Sequence, residues 1–144
     1  MINQVMGNMF YGQEQTLVCP VNMVGTMGNG LALYFKKRWP NILPVYGNAC
    51  RNRTFLKNQL VVVPIGNGKQ VLLFPTKNHW RDDSPIELIE RFLDVLAKDY
   101  QKLGITSLAM PKIGCGKGNL DFTEVDEVIR RVLGSLDIPI TIYV

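Results

Sequence analysis

Short apolar runs rich in β-branched residues recur along the chain at 16–18 (with Val21 following), 60–65, 70–74, 107–110 and 140–144. Their length and their flanking Gly, Pro and Asn predict strands rather than helices. Between them the period changes. Ile86, Ile89, Phe92, Leu93, Leu96, Tyr100 and Leu103 fall on one helical stripe, and Gly104 can close that helix in a left-handed turn. The tetrapeptide Ser84-Pro85-Ile86-Glu87 predicts a capping box, with proline at the first helical position. A second stripe starts at Thr123, turns Val125, Val128, Ile129, Val132 and Leu133 inward, and stops at Gly134. Residues 30–39 predict a third helix, opened by glycines and ended by Pro40.

Strands thus alternate with helices, and the terminal strands show little alternation of polar and apolar positions. That pattern predicts strands buried on both faces of an α/β layered sheet. Ligands of such sheets sit in a crevice beyond the carboxyl ends of the strands, where helix N-termini offer N–H groups and a favourable dipole to phosphate. No repeat, linker or low-complexity segment divides the chain, so residues 1–144 are expected to form one domain.

Composition narrows the function classes. Hydrophobic residues are 47% and charged residues 19% of the 144, which excludes a disordered chain. No apolar run approaches the roughly 20 residues of a membrane span, and the N-terminus lacks a signal-peptide pattern. Three cysteines (Cys19, Cys50 and Cys115) without CxxC spacing argue against a disulfide framework or a zinc site, so a cytoplasmic setting without metal or cofactor is expected. The net charge of +4 suits an anionic partner such as a nucleotide or nucleic acid.

The candidate chemistry lies in three loops. Residues 21–32 (VNMVGTMGNGLA) and 111–121 (PKIGCGKGNLD) are glycine-bearing segments that leave predicted strands and enter predicted helices. Two such stretches facing each other could clamp a diphosphate with backbone N–H groups. Neither fits GxxxxGK[ST], since Gly116-Lys117 is followed by Gly118, and no Rossmann GxGxxG is present, which disfavours nucleotide hydrolysis of the common kind. The third segment, residues 74–81 (FPTKNHWR), holds Lys77, the sole histidine His79, and Trp80. A lysine in a cleft can lose its proton through burial and attack an aldehydic or anomeric carbon. His79 reads equally as an ordinary loop residue or a helper, and Trp80 is expected partly in the core. Cys115 as a nucleophile lacks an identifiable general base.

These residues carry a resemblance. MGNMF at 6–10, VNMVGTMGNGLALYFKKRWP at 21–40, FPTKNHWR at 74–81, GITSLAMPKIGCGKGNLDF at 104–122 and ITIYV at 140–144 resemble the macrodomain family of ADP-ribose binders. The similarity is specific to the branch of ADP-ribosyl glycohydrolases that act on protein or on DNA, and it runs over essentially the whole length. It implies a three-layer α/β/α fold with a mixed central sheet and an ADP-ribose cleft at the strand ends. By the same resemblance Asn8 and Met9 would meet adenine, although many relatives have aspartate at the position of Asn8. Asn22 would contact the distal ribose, and Gly28, Gly30, Leu31 and Ala32 would line that ribose and the diphosphate. Ile113, Gly114, Cys115, Gly116, Lys117 and Gly118 would close over the diphosphate, with Asn119 and Leu120 at its edge and Thr76 beside the catalytic position.

Lys77 matches the catalytic lysine of the branch, with His79 as an auxiliary candidate. The implied chemistry is attack on, or electrostatic activation at, the anomeric carbon of the distal ribose. The protein-demodifying relatives pair this lysine with an aspartate where this chain has Gly118, and the nearest acid here is Asp121. That departure directs the expectation toward thymidine-linked ADP-ribose on DNA. The alternatives are a non-catalytic ADP-ribose reader and a hydrolase of glutamate or aspartate esters on protein. The expected partners are ADP-ribose or an ADP-ribosylated macromolecule, with DNA as a candidate and no membrane, for a chain acting as a monomer. Lys36, Lys37, Arg38, Arg51, Arg53, Lys57 and Arg81 are candidates for a phosphate-facing rim.

Overall fold

A computed structural model describes residues 1–144. Six strands form one sheet in the order β1-β6-β5-β2-β4-β3, with β1 at Ile2–Val5, β2 at Thr16–Asn22, β3 at Val61–Gly66, β4 at Lys69–Lys77, β5 at Leu108–Met110 and β6 at Ile140–Tyr143. Only the β3–β4 pair is antiparallel, so the sheet is mixed, as the resemblance implied. Helices α1 (Gly30–Arg38) and α2 (Ile42–Arg51) pack on each other and on β2 and β3. Helices α3 (Ile86–Asp99) and α4 (Phe122–Leu133) pack on each other, with α3 against β4, completing the α/β/α layers. No helix is long and apolar enough to cross a membrane.

Burial on both faces belongs to the central strands. All residues of β2 except Pro20 are buried, as are Val71 to Thr76 of β4 and the whole of β5. The terminal strand β6 instead alternates, with Ile140 and Ile142 buried and Thr141 and Tyr143 half-exposed, because its neighbour β1 is a polar, mostly exposed edge. Strand β1 has the pattern Ile-Asn-Gln-Val, which lacks an apolar face, and it escapes a reading based on apolar runs. Helix α2 escapes it too: Pro44 and Gly47 weaken its propensity, and it forms because Ile42, Tyr46 and Ala49 bury one face.

One predicted start is corrected. Helix α3 begins at Ile86, its N-cap is Pro85 in an extended conformation, and no side chain caps it. The expected capping box does not form. The Ser84 hydroxyl is buried without any hydrogen-bond partner, while the Ser84 N–H donates to the Gly118 carbonyl at 3.0 Å. Serine is thus recruited by the loop above it rather than by its own helix. The far end of the same helix behaves as predicted: Gly104 has φ +71°, and Ile105 N–H donates to Tyr100 O as Gly104 N–H donates to Gln101 O.

The topology fixes where a ligand could sit. β2 and β5 pair only through Thr16↔Leu108 and Leu17↔Ala109, after which the two strands part. The chain leaves β2 toward one side of the sheet and returns from β4 to build the other, so this parting is a topological switch point. Pro20, which has no N–H to donate, lies beyond the last β5 pair, where a central strand tolerates it.

Candidate functional site

A cleft of about 530 Å³ opens at this switch point. One wall is the loop from Asn22 to Ala32, the other the loop from Pro111 to Gly118, and the floor is the end of β4. The two glycine loops therefore face each other across one crevice.

The first loop is organised by Asn22. Its side-chain oxygen accepts from Val24 N–H at 3.0 Å and Thr26 N–H at 3.4 Å, and its amide nitrogen donates to Thr26 O at 2.8 Å. From below, the Tyr46 hydroxyl of α2 lies 2.7 Å from both the backbone and the side-chain oxygen of Asn22. Burial pushes the Tyr46 hydroxyl well above the usual phenol range, so it stays a neutral donor. Beyond this knot Gly28, Gly30, Leu31 and Ala32 line the cleft. Gly30 opens α1 at φ +60°, a left-handed start that favours glycine, and aims the helix N-terminus at the cavity.

Gly114 and Gly118 hold the second loop in shape. At Gly118 a Cβ would overlap the Ser84 hydroxyl and the Gly114 carbonyl, and at Gly114 (φ +75°) it would press on Ile89 and Leu120. Gly116 has nothing within 4 Å of where its Cβ would be. Leu120 N–H donates to Gly114 O at 2.9 Å, closing the loop on itself.

Lys77 joins the two halves. It ends β4 and pairs with Asn22 across a β-bulge, which places it at the mouth of the first loop. Its Nζ donates to the Lys117 carbonyl of the second loop at 3.0 Å and to the Trp80 carbonyl at 3.4 Å. Lys112 and Lys117 line the same cavity, whereas no Asp or Glu does. The two ion pairs of the chain, Arg130–Asp126 and Arg131–Glu90, lie on α4 and between α4 and α3, so the cleft lysines have no acid partner. Three uncompensated ammonium groups beside bare backbone suit a multiply charged anion.

Several expected residues lie elsewhere. Asn8 follows β1, where its side chain accepts from Phe10 N–H at 2.9 Å and caps the turn Met9–Tyr11; Met9 is in the core. Ile113 is buried, and Cys115 is half-buried with its thiol pushed up by desolvation, which makes it a poor thiolate. Asn119 donates to the Asp83 carboxylate at 2.7 Å. Asp121 accepts from Thr123 N–H at 3.0 Å as the N-cap of α4, and so does not take the place of a loop acid. None of Asn8, Met9, Ile113, Cys115, Asn119, Leu120 or His79 lines the cleft. Of the seven rim candidates Arg81 alone adjoins it, through Trp80, while Lys36, Lys37 and Arg38 occupy the last turn of α1, at the end opposite its cleft-facing start.

Ser84, Lys112 and Trp80 are among the lining residues that the sequence did not single out as ligand contacts. Lys112 was signalled by its place between Pro111 and the loop glycines. Trp80, expected partly in the core, is 44% exposed and stands at the cleft edge. Its turn carries it outward: Asp82 N–H donates to His79 O and Arg81 N–H to His79 Nδ1, both at 3.1 Å.

The Macro domain family model matches residues 18–129. A DNA ADP-ribosyl glycohydrolase from Mycobacterium tuberculosis is 35% identical over 99% of this chain and 42% of its own length. The chain spans about two-fifths of the length of the DNA ADP-ribosyl glycohydrolases it is similar to. Among solved structures, the macrodomain of Thermus aquaticus DarG superposes with a TM-score of 0.91 at 34% identity, covering 100% of this chain and 98% of that one. Thermosipho africanus DarTG in complex with ADP-ribose gives the same TM-score at 36% identity, over 99% of this chain and 41% of that one.

Proposed function

From the premise that the chain belongs to the Macro domain family, we propose that it is an ADP-ribosyl glycohydrolase that removes ADP-ribose from nucleic acid, thymidine-linked in DNA. The observation that carries this reading is the Lys77 amine, at the end of β4 and hydrogen-bonded to the second glycine loop within the cleft. The relatives named for DNA ADP-ribosyl glycohydrolysis, and the one solved with ADP-ribose, support the substrate class.

ADP-ribose would lie along the crevice, its diphosphate between the two glycine loops and facing the N-terminus of α1. Asn22 and the residues from Gly28 to Ala32 would hold the distal ribose, with Thr76 and Lys77 beneath it. In direct attack, the Lys77 ammonium gives up a proton and the freed Nζ forms a bond to the anomeric carbon while the bond from that carbon to the thymine breaks, the departing base taking up that proton. Water then displaces the amine, so the net reaction consumes one water and yields ADP-ribose and unmodified thymidine. This route requires Nζ to leave the Lys117 and Trp80 carbonyls. In the electrostatic route it keeps them and stabilises the charge that develops on the departing base. Trapping with a hydride reagent separates the two, because only direct attack gives a Lys77 adduct whose ribose ring can open to an imine that hydride reduces.

A single-stranded oligonucleotide carrying ADP-ribose on thymine tests the proposal. Release of free ADP-ribose by the wild type and its loss in Lys77→Ala are expected. An intact substrate after prolonged incubation with wild-type protein would overturn it. The absence of any carboxylate in the cleft favours one second reading, a module that binds ADP-ribose without turnover. Tight binding with no release from any DNA or protein conjugate would select that reading.

A further inference from the structure

Trp80 presents an indole to solvent at the edge of the cleft. Leaving so large an apolar side chain 44% exposed forgoes burial energy, and the turn from His79 to Asp82 is hydrogen-bonded so as to hold it there. The Trp80 carbonyl is 3.4 Å from the Lys77 amine, so the indole stands within one side chain of the candidate reacting group. The Arg81 guanidinium lies over the Trp80 ring, 4.7 Å from its centroid, so a base stacking on that face displaces it toward the strand's phosphate, and it belongs to neither of the chain's ion pairs. An exposed aromatic face beside an unpaired cation is the combination with which proteins hold single-stranded nucleic acid: the ring stacks a base and the cation meets its phosphate.

We propose that Trp80 is the stacking platform for the nucleobase that carries ADP-ribose, with Arg81 contacting the phosphate of the same single strand. This inference rests on the reading that Lys77 acts at the distal ribose. Since Trp80 and Lys77 share one end of the cleft, the group against the indole is then the one attached to that ribose and not the adenine at the far end of the diphosphate. A base inside a duplex cannot reach such a platform without being extruded, so the preferred substrate is single-stranded.

The test is a set of dissociation constants measured in a Lys77→Ala background, where substrate survives. The probes are ADP-ribose, a single-stranded oligonucleotide with ADP-ribose on thymine, the same oligonucleotide unmodified, and a peptide carrying ADP-ribose on glutamate. The modified oligonucleotide should bind about tenfold or more tighter than ADP-ribose. Adding Trp80→Ala should erase that margin, and Trp80→Phe, which keeps a stacking face, should retain most of it. An unchanged margin in the Ala variant, or no margin at all, would overturn the platform. So would an equal loss for ADP-ribose alone, which would make Trp80 a ligand contact, or an equal margin on the peptide, which would make it indifferent to bases. These binding outcomes remain readable even if the wild type fails to release ADP-ribose, so failure of the glycohydrolase reading is seen separately.

Discussion

The Lys77 amine donates to the Lys117 carbonyl oxygen across 3.0 Å, tying the last residue of β4 to the turn of the second glycine loop. On the proposed function Lys77 has two separable roles, one in chemistry and one, through this bond, in holding the cleft wall. Replacing it with alanine should lower the single-turnover rate of ADP-ribose release about a hundredfold or more. ADP-ribose affinity should change far less, by about threefold, because in the proposed pose the diphosphate contacts would come from backbone N–H groups. Single-turnover kinetics beside calorimetry on the same variant separates the two effects. A rate that falls only in proportion to binding would remove Lys77 from the chemistry.

The glycines of the second loop divide by what surrounds them. Gly118→Ala places a methyl against the Gly114 carbonyl and the Ser84 hydroxyl, and a backbone atom cannot move aside cheaply. We expect a loss of about 1–3 kcal/mol in stability, with weaker ADP-ribose binding as the loop shifts. Gly116→Ala meets nothing within 4 Å and Gly116 is not among the positive-φ residues, so stability should hold. Its methyl would enter the cavity that Gly116 lines, and affinity alone should fall. Thermal melts and calorimetry on the pair check both statements.

The chemistry was legible in the sequence wherever local pattern determines geometry. A strand followed by a glycine segment and then a helix start predicts a phosphate-sized cradle, and both such segments line one cleft. Lys77 was legible from its place just past the apolar run 70–74 and from the resemblance, and β4 extends three residues beyond that run to end on it. What the sequence hid are facts of tertiary placement. Ser84 reads as a helix cap until Gly114 and Gly118 fold over it and bury its hydroxyl. Trp80 reads as core because large aromatics usually are, and only the turn bonds to His79 reveal that it points outward. The basic residues of α1 and α2 show the sign of the charge but not its face, and those in the last turn of α1 lie away from the cavity. Helix α2 is held by burial of Tyr46 more than by propensity, so no local signal marks it.

Alkali should destabilise the fold through groups that burial or a carboxylate partner keeps from ionising. Burial raises the Cys19 thiol from its usual 9.0, and burial followed by the Glu14 hydrogen bond raises the Tyr143 hydroxyl from 10.0 to about 12. In both cases the unfolded chain gives up its proton at a lower pH than the folded one. The stabilisation is therefore complete below pH 9 and is lost as pH rises, with the Tyr143 share disappearing between about 10 and 12. Melting temperatures from pH 7 to 11.5 should be level at first and then fall. Tyr143→Phe should flatten the upper part of that fall, and a wild-type curve level to pH 11.5 would contradict the argument.

Tyr46 and Asn22 supply the last test, because the first loop hangs on their contact. The Tyr46 hydroxyl lies 2.7 Å from the Asn22 carbonyl and the same distance from its side-chain oxygen, inside a fully buried pocket. Tyr46→Phe removes the donor, keeps the ring, and takes from the Asn22 backbone and side-chain oxygens the one hydroxyl they share. The expected loss is about 1–3 kcal/mol in stability. The Asn22 side chain would still accept from Val24 and Thr26, so the loop should loosen rather than collapse. Amide exchange should then quicken at Val24 and Thr26 while the β2–β4 ladder below stays protected. ADP-ribose affinity should drop severalfold because the ligand must order what Tyr46 had ordered beforehand. Uniformly faster exchange across the sheet would mean that the hydroxyl supports the core as a whole and not the loop.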